Sequence, residues 1–194
     1  MEGYEVRPVG LKAAAAFIAQ HHYAGGCSNT ATYLHGLWKD GALCGVVWWI
    51  PPGSPNVARW TARQFEGDVC WKTQVLTLSR MALAPSVPRN GASWLLARSV
   101  RLIRADRRYR VAVTYADRRQ GHDGGVYRAS GWTYTGESAK EAAWLDSQGR
   151  QVARKAKKNR TKGEMLALGY TRLPPMGKAR YIRAITKVKM KQEV

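Results

Sequence analysis

The spacing of apolar residues along the chain switches between a period of two and a period near 3.6, and these switches predict the order of strands and helices. A short strand at 4–9 precedes an alanine-rich helix at 11–23. Alternation then predicts strands at 75–84, 109–116 and 132–136. A helix of about 14 residues separates the first two of these strands, and a shorter helix precedes the third.

A β-hairpin is predicted between residues 32 and 50. Its arms, 32–38 and 42–50, are joined by Lys39-Asp40-Gly41, and Asp-Gly is a strong tight-turn signal. The second arm is almost continuously apolar, which indicates a strand buried on both faces. Two prolines end this arm, and the stretch 53–72 is interpreted as a loop or a short helix.

The segment 75–117 predicts the centre of the fold. Two consecutive strands joined by one helix usually lie parallel, because the crossover needs that length of chain. The predicted class is therefore α/β, with a mixed sheet and a central parallel pair. Asp117 follows directly after the second of these strands. Ligands in open α/β sheets gather at carboxyl ends of strands, so Asp117 is placed where chemistry is expected.

Arg80 is unusual for its position in the first of these strands. Strict alternation places Arg80 on one apolar face with Leu76 and Leu78. A guanidinium there needs a carboxylate, a phosphate or water as a partner. A purely structural ion pair with Asp117 is the alternative interpretation.

The loop before the long helix has the composition of an anion site. Small residues within 88–93 leave the backbone N–H groups of the first helical turn approachable, and the helix dipole adds positive potential. A phosphate or pyrophosphate therefore fits this terminus. Asn90 and Ser93 are equally suited to act as ordinary helix caps.

The formal net charge of +19, from 32 basic and 13 acidic residues, indicates a polyanionic partner. Residues 150–194 carry 14 basic and two acidic residues, and seven basic residues without an acid lie in 150–162. A nucleic acid is favoured over ribosomal or membrane-surface binding. We divide the chain into a catalytic domain at 1–149 and a basic C-terminal extension at 150–194, packed on the same domain and returning a strand at 178–185 to the sheet edge.

The three cysteines form no C-x-x-C pair, which favours a reducing compartment. No apolar run is long enough to cross a membrane, and the first residues lack the features of a signal peptide. We therefore expect a protein of the bacterial cytoplasm, present as a monomer or a homodimer. The histidines and cysteines show no metal-ligand spacing, so no metal ligand is predicted, and iron is an open possibility that the sequence does not resolve.

Several short motifs together resemble a known superfamily. They are HHY at 21–23, LSR at 78–80, PRNGAS at 88–93, TYAD at 114–117 and GHDGGVYRASGWTYTG at 121–136. A strand, a loop opening a helix, a second strand and a short Tyr-x-x-x-Gly-aromatic helix resemble the core of the Gcn5-related N-acetyltransferase (GNAT) superfamily. Within it, the combination is most similar to the Mom-type DNA modification proteins of bacteriophages.

The resemblance implies a GNAT-like acyl-CoA N-acyltransferase fold with acetyl-CoA between two splayed parallel strands. It implies Tyr127 as general acid towards sulfur, and Asp117, with His22 or Tyr23, as the group that takes a proton from the acceptor. Arg80 and Ser79 would orient the acceptor or acyl group. The implied cofactor-binding residues are Met81, Ala82, Leu83, Arg89, Asn90, Gly91, Ala92, Ser93 and Tyr127, with backbone N–H groups near Met81 and Ala82 polarising the carbonyl.

The resemblance also implies double-stranded DNA as partner and N6-modified adenine as product, which many restriction enzymes cannot cut. The base would be flipped and clamped by an aromatic residue such as Tyr23 or Trp60. A methylcarbamoyl product contains a nitrogen that acetyl transfer does not supply. The expected DNA-binding residues are Arg59, Trp60, Arg63, Arg118, Arg119, Arg154, Lys155, Lys157, Lys158, Arg160 and Lys162.

Two other functions remain open on the sequence. One is a plain N-acetyltransferase acting on a ribosomal protein, an RNA or an aminated hypermodified pyrimidine. The other is a basic DNA-binding or packaging protein on an inactive GNAT scaffold. His22 likewise has two interpretations, since a histidine at a helix end is commonly a cap or a packed ring.

Overall fold

The structure, a computed structural model, describes residues 1–152 and 160–191. Its helices are α1 (Leu11–His21), α2 (Pro55–Arg63), α3 (Gly91–Asp106), α4 (Gly125–Ala129) and α5 (Lys162–Ala167), with a 3-10 turn at Arg118–Gln120. Its strands are β1 (Tyr4–Pro8), β2 (Tyr33–Lys39), β3 (Ala42–Ile50), β4 (Val75–Leu83), β5 (Val111–Ala116), β6 (Thr133–Glu137), β7 (Trp144–Leu145), β8 (Gln151–Val152), β9 (Thr171–Arg172) and β10 (Ala179–Ala184).

One seven-stranded sheet organises the described chain, in the order β1-β2-β3-β4-β5-β10-β6. β4 and β5 are parallel, and the other neighbours in this sheet are antiparallel. A small sheet, β8-β7-β9, lies beside it. The predicted mixed α/β class with a parallel central pair is confirmed.

The predicted hairpin forms β2 and β3. Asp40 and Gly41 both have positive φ, of 48° and 78°, which is the turn geometry that matches the twist of two antiparallel strands. Trp48 and Trp49 in β3 are fully buried and belong to separate core clusters on opposite faces of the sheet. The expectation that this arm is buried on both faces is therefore confirmed.

Helices cover both faces of the sheet. α3 buries Leu95, Leu96, Val100 and Ile103 on one face, where Trp132 after α4 also packs. On the other face, α1 covers the β2–β4 region, and α2 with Phe65 covers the N-terminal half of β4, β5 and β10. α1 ends at His21, two residues before the predicted end, so the two residues after it begin a loop.

β4 and β5 open into a V. Their register runs from Val75 opposite Val111 to Thr77 opposite Val113, and there the pairing stops. β4 continues to Leu83 and β5 to Ala116, so their carboxyl-terminal halves diverge. At the vertex the Thr114 hydroxyl donates a hydrogen bond of 3.2 Å to the Leu78 carbonyl. The predicted splay between the parallel strands is confirmed.

A β-bulge at Ser79 changes the direction of the side chains in β4. Trp49 lies opposite Leu78 and Trp48 lies opposite Arg80, so Ser79 is the extra residue. A bulge reverses the alternation beyond it. Leu78 therefore faces α3, whereas Arg80 faces α1. The expectation that Arg80 shares a face with Leu76 and Leu78 was wrong, because the alternation of apolar and polar residues does not reveal a residue inserted by a bulge.

β10 lies inside the sheet, between β5 and β6, with Ala179 opposite Ala116. The prediction of an edge strand at 178–185 was wrong. Tyr181 and Ile182 are both buried, in clusters on opposite faces, which is the environment of a central strand. The boundary at residue 149 stays a prediction.

His35 makes folding sensitive to acid. It is 5% exposed, and its Nδ1 lies 2.7 Å from the Ser99 hydroxyl. Burial lowers the pKa of His35 from 6.5 to about 4. Between pH 6.5 and pH 4, His35 binds a proton in the unfolded chain but stays neutral in the folded chain. The stabilisation that is present above pH 6.5 is therefore lost as the pH falls towards 4.

We expect His35 to account for up to about 3 kcal/mol of the unfolding free energy lost between pH 7 and pH 4. Urea unfolding at several pH values would measure this loss. His35→Gln should be less stable at pH 7 but should lose less stability on acidification. Equal losses in the two proteins would contradict the assignment.

Candidate active site

The V between β4 and β5 contains a cavity of about 370 Å³, here called the cleft. It crosses the sheet from the end of α1 to α4. All six predicted catalytic side chains line it: His22, Tyr23, Ser79, Arg80, Asp117 and Tyr127. Of the residues predicted to hold the cofactor, Met81, Ala82, Leu83, Ala92 and Tyr127 line it, whereas Arg89, Asn90, Gly91 and Ser93 lie outside its lining, at the start of α3.

Tyr127 has the properties of a proton donor. Its ring packs against Trp132 and Tyr181, with ring centroids 5.9 and 5.2 Å away. Burial raises the pKa of Tyr127 more than its hydrogen bond with Thr114 lowers it, and the nearby Tyr23 and Tyr181 raise it further. Its hydroxyl is therefore protonated at neutral pH.

Gly124 allows the turn before α4 to approach Tyr181. Its φ is +78°, and a Cβ there would lie 2.0 Å from the Tyr181 hydroxyl oxygen. Since Tyr181 supports the ring of Tyr127, this contact helps to position α4.

We expect Gly124→Ala to lower the unfolding free energy by about 2–4 kcal/mol, because the strain of a left-handed backbone and the steric clash with Tyr181 both destabilise the folded state. Gly121→Ala is the matched control, since Gly121 has a φ of +72° and nothing within 4 Å of an added Cβ. Chemical denaturation of both variants measures the difference. Equal losses would show that the contact with Tyr181 is unimportant.

Asp117 is 4% exposed and held from two sides. Its Oδ1 accepts a 3.1 Å hydrogen bond from the Arg119 N–H, which caps the 3-10 turn. Its Oδ2 lies 2.9 Å from the Lys178 ammonium. The sequence analysis assigned no role to Lys178. Lys178 begins the strand predicted at 178–185, but the pairing with β5 that brings it to Asp117 is a contact between distant segments that no local pattern shows.

Arg80 does not pair with Asp117, so the alternative interpretation of Arg80 was wrong. Its Nε donates to the Gly26 carbonyl at 3.1 Å, and its Nη1 donates to the Ser79 carbonyl at 2.7 Å. The bulge turns Arg80 towards α1, where backbone carbonyls are its hydrogen-bond partners in place of the predicted acid. Arg80 thereby attaches the loop after α1 to β4 beside the cleft.

His22 and Tyr23 form the α1 side of the cleft. The Ala24 N–H donates a hydrogen bond of 3.1 Å to His22 Nδ1, so that nitrogen is already engaged as an acceptor. Burial, with the nearby cations of Arg80 and Lys178 and the His122 ring, lowers the pKa of His22 to about 4. Its neutral ring stacks on Tyr23 with centroids 4.4 Å apart. His22 therefore caps the loop, and the catalytic role expected for it in the cleft stays a prediction.

Backbone N–H groups point into the cleft from β4. The Ala84 N–H donates to the Cys44 carbonyl on β3, and N–H directions alternate along a strand. The N–H groups of Met81 and Leu83 therefore face the side that β5 leaves open. The N–H of Ala82 faces β3, so the expectation that Ala82 polarises a carbonyl was wrong.

The first turn of α3 opens onto the cleft at Ala92. Asn90 makes no side-chain cap hydrogen bond, and the Ser93 hydroxyl donates to the Asn90 carbonyl instead of accepting a backbone N–H. Gly91 lies against Val87, where a Cβ would come within 2.1 Å. Neither side chain acts as the ordinary cap considered above, and the terminus of this 16-residue helix keeps its capacity for an anion.

The predicted DNA-binding residues are spread over several surfaces. Arg59 lies over the Trp71 ring, and Arg63 is also on α2. Arg118 pairs with Glu137 at 2.7 Å, and Arg119 donates to the Pro174 carbonyl. Lys162 begins α5 and Arg160 precedes it. Arg154, Lys155, Lys157 and Lys158 lie outside the described residues.

Trp60 does not line the cleft, and its role in clamping a base stays a prediction. It packs on the core under α2, because the helix turns this side of its surface towards β4 and β5. Its ring carries the guanidinium of Arg180, 3.4 Å from the ring centroid.

Metal-ligand clusters and membrane-spanning helices are both absent from residues 1–152 and 160–191. These residues contain no group of three or more His, Cys, Asp or Glu side chains arranged to hold a metal ion. Cys27, Cys44 and Cys70 are free thiols. None of the helices described has the length and apolar character needed to cross a membrane.

Comparison with protein families gives a match to the Mom protein family over residues 3–193. No curated protein sequence matches the chain.

Solved structures show the same fold at low sequence identity. The ribosomal-protein-S18-alanine N-acetyltransferase from Escherichia coli has 11% identity and a TM-score of 0.56, with 98% of this chain and 99% of that chain covered. A spermidine N-acetyltransferase variant from Vibrio cholerae has 10% identity, a TM-score of 0.56 and 96% of each chain covered. A GNAT superfamily phosphinothricin acetyltransferase from Sinorhizobium meliloti, in complex with AcCoA, has 13% identity, a TM-score of 0.54, and coverage of 99% and 95%. The predicted GNAT-like fold is confirmed.

Proposed function

The chain belongs to the Mom protein family, and from this premise we propose that it is an acyltransferase that modifies the N6 amine of adenine in double-stranded DNA. The modification would protect DNA from restriction endonucleases. The observation that carries the proposal is the cleft between β4 and β5, where Tyr127 and Asp117 line one cavity. A protein that only binds DNA has no need of a proton donor and a buried carboxylate at an opening in its sheet.

The cleft suits acetyl-CoA as the acyl donor. Its pyrophosphate would lie at the first turn of α3, where Gly91 lets the backbone pass close to Val87. The backbone N–H groups of Met81 and Leu83 would hold the acyl carbonyl. Bound acetyl-CoA would supply the activated acyl group.

The side chains divide the proton transfers between them. As the N6 nitrogen bonds to the acyl carbon and the carbon–sulfur bond breaks, Tyr127 would give its hydroxyl proton to the departing sulfur, and Asp117 would take the proton that N6 loses. Arg80 holds the loop of His22 and Tyr23 over the acceptor side, which limits access of water.

Double-stranded DNA is the partner that best suits the charge of +19. Arg59 and Arg63 on α2 and Arg119 beside the cleft supply cations on the face of the sheet that carries α1 and α2. Affinity for DNA should therefore fall steeply with salt concentration.

The proposal is tested by expressing the protein in bacteria, digesting plasmid DNA to nucleosides and measuring their masses. A mass shift on deoxyadenosine supports adenine modification, and its size distinguishes an acetyl group from a group of the methylcarbamoyl type. A shift on a pyrimidine supports the aminated-pyrimidine alternative. Unmodified DNA together with acetylation of a ribosomal protein or an RNA would replace the proposal with that alternative.

A further inference from the structure

A second cavity, of about 500 Å³, lies beside the cleft on the face that carries α2. The two cavities share Tyr115 and Asp117 in their linings, so they meet at the end of β5. Other residues around the second cavity come from α2, β4, the loop after β6, and β10 with the residue before it, and include Val57, Thr77, Ser138, Ala139, Lys178 and Arg180.

The second cavity has a flat, aromatic-supported floor. The Arg180 guanidinium lies 3.4 Å from the centroid of the Trp60 ring, and its Nη2 donates to the Thr135 carbonyl at 2.8 Å. Arg180 and Tyr115 are opposite each other in the β5–β10 register, so both side chains lie on the same face of the sheet. A guanidinium held on one face by Trp60 and along one edge by Thr135 keeps its other face as a flat surface on which a nucleic acid base can stack.

Polar atoms line the second cavity up to its boundary with the cleft at Asp117. Among the described residues, the buried Thr77 hydroxyl oxygen has no hydrogen-bond partner. Lys178 reaches Asp117 at that boundary, and its backbone N–H donates to the Ser138 hydroxyl at 3.0 Å. Both hydrogen-bond donors and acceptors are therefore available to the edge of a heterocycle.

We propose that the second cavity receives the adenine flipped from the DNA duplex, stacked on Arg180 with its exocyclic amine directed to Asp117. This inference rests on the proposed function and identifies the acceptor site. An amine on a base inside a duplex cannot reach a cleft between two strands, so the base must leave the stack. The cations Arg119, Lys178 and Arg180 at this cavity also favour the phosphates on either side of the flipped base.

The test measures binding without acetyl-CoA, at one fixed salt concentration, to two duplexes that differ by one unpaired adenine. The unpaired base costs little to flip, so the wild-type protein should prefer that duplex. Arg180→Lys keeps the charge but removes the flat surface, and should reduce the preference about tenfold while binding fully paired DNA normally. Arg183→Lys is the matched control, because Arg183 lies on the same strand but on the opposite face, where it donates to Ser130.

A second variant fills the cavity without changing its charge. Ala139 is exposed at the rim, so Ala139→Trp should fold normally and abolish the preference for the unpaired adenine. The proposal is overturned if the wild-type protein shows no preference, if Arg180→Lys and Ala139→Trp retain it, or if Arg183→Lys loses it equally. Failure of the proposed function would appear separately, as unmodified plasmid DNA from cells that express the wild-type protein.

Discussion

Tyr127→Phe is expected to lower the rate of DNA modification at least about a hundredfold, because general acid catalysis typically contributes that much or more. Phenylalanine keeps the ring that packs against Trp132 and Tyr181 and removes only the hydroxyl. Affinity for acetyl-CoA and for DNA should change little. Single-turnover modification of a plasmid, followed by nucleoside mass spectrometry, measures the rate, and calorimetry measures acetyl-CoA binding.

Tyr134→Phe is the control for Tyr127→Phe. Tyr134 also contacts the Tyr181 ring, with centroids 5.5 Å apart, but it is 46% exposed and lies outside the cleft. Its replacement should leave the rate unchanged. A Tyr127→Phe protein that modifies DNA at the wild-type rate would remove Tyr127 from the chemistry and leave water or another group as the proton donor.

Asp117→Asn is expected to reduce modification by a comparable factor, since an amide cannot accept the proton that the target amine loses. Asparagine is as good a cap as aspartate, so the 3-10 turn at Arg118–Gln120 should persist. The unfolding free energy should fall by about 1–3 kcal/mol, because Lys178 loses its carboxylate partner while remaining partly solvated. Kinetics and urea unfolding of the same preparation measure the two effects.

Two further variants separate the roles of Asp117. Asp40→Asn makes the same chemical change in an exposed hairpin turn, and should alter neither rate nor stability by a measurable amount. Combining Asp117→Asn with Lys178→Met should cost less stability than the sum of the single changes, because the ion pair is lost only once. If Asp117→Asn is unstable yet fully active, the carboxylate has a structural role alone.

The proximity of Asp117 and Lys178 connects the two cavities. The ion pair lies at their boundary, and β10, which begins just after Lys178, also carries Arg180 into the second cavity. The strand inserted between β5 and β6 therefore supplies one residue that holds the proposed base and one that binds the proposed proton acceptor. Reaction chemistry and base recognition would then depend on the same strand.

Local patterns in the sequence were sufficient to predict most of the helices and strands of the main sheet. The Asp-Gly turn, the apolar arm at 42–50 and the helical spacing after Gly91 all reflect interactions between residues near each other in the chain. The parallel pairing of β4 and β5 also follows locally, since one helix of that length connects them. The end of the second strand pointed to Asp117, whereas the role of Tyr127 came from the resemblance to the GNAT superfamily.

By itself, then, the sequence determined the mixed sheet, the parallel pair and the residues at its open end. Only the tertiary structure decided the bulge at Ser79, the partner of Asp117 and the central position of β10. Each of these depends on contacts between segments far apart in sequence: β3 against β4, the end of β5 against residue 178, and β10 between β5 and β6. The two-residue repeat of a strand assigns a side chain to one face of the sheet only while the hydrogen bonding to the neighbouring strand is regular. Neither a bulge nor the order of the strands can be deduced from that repeat.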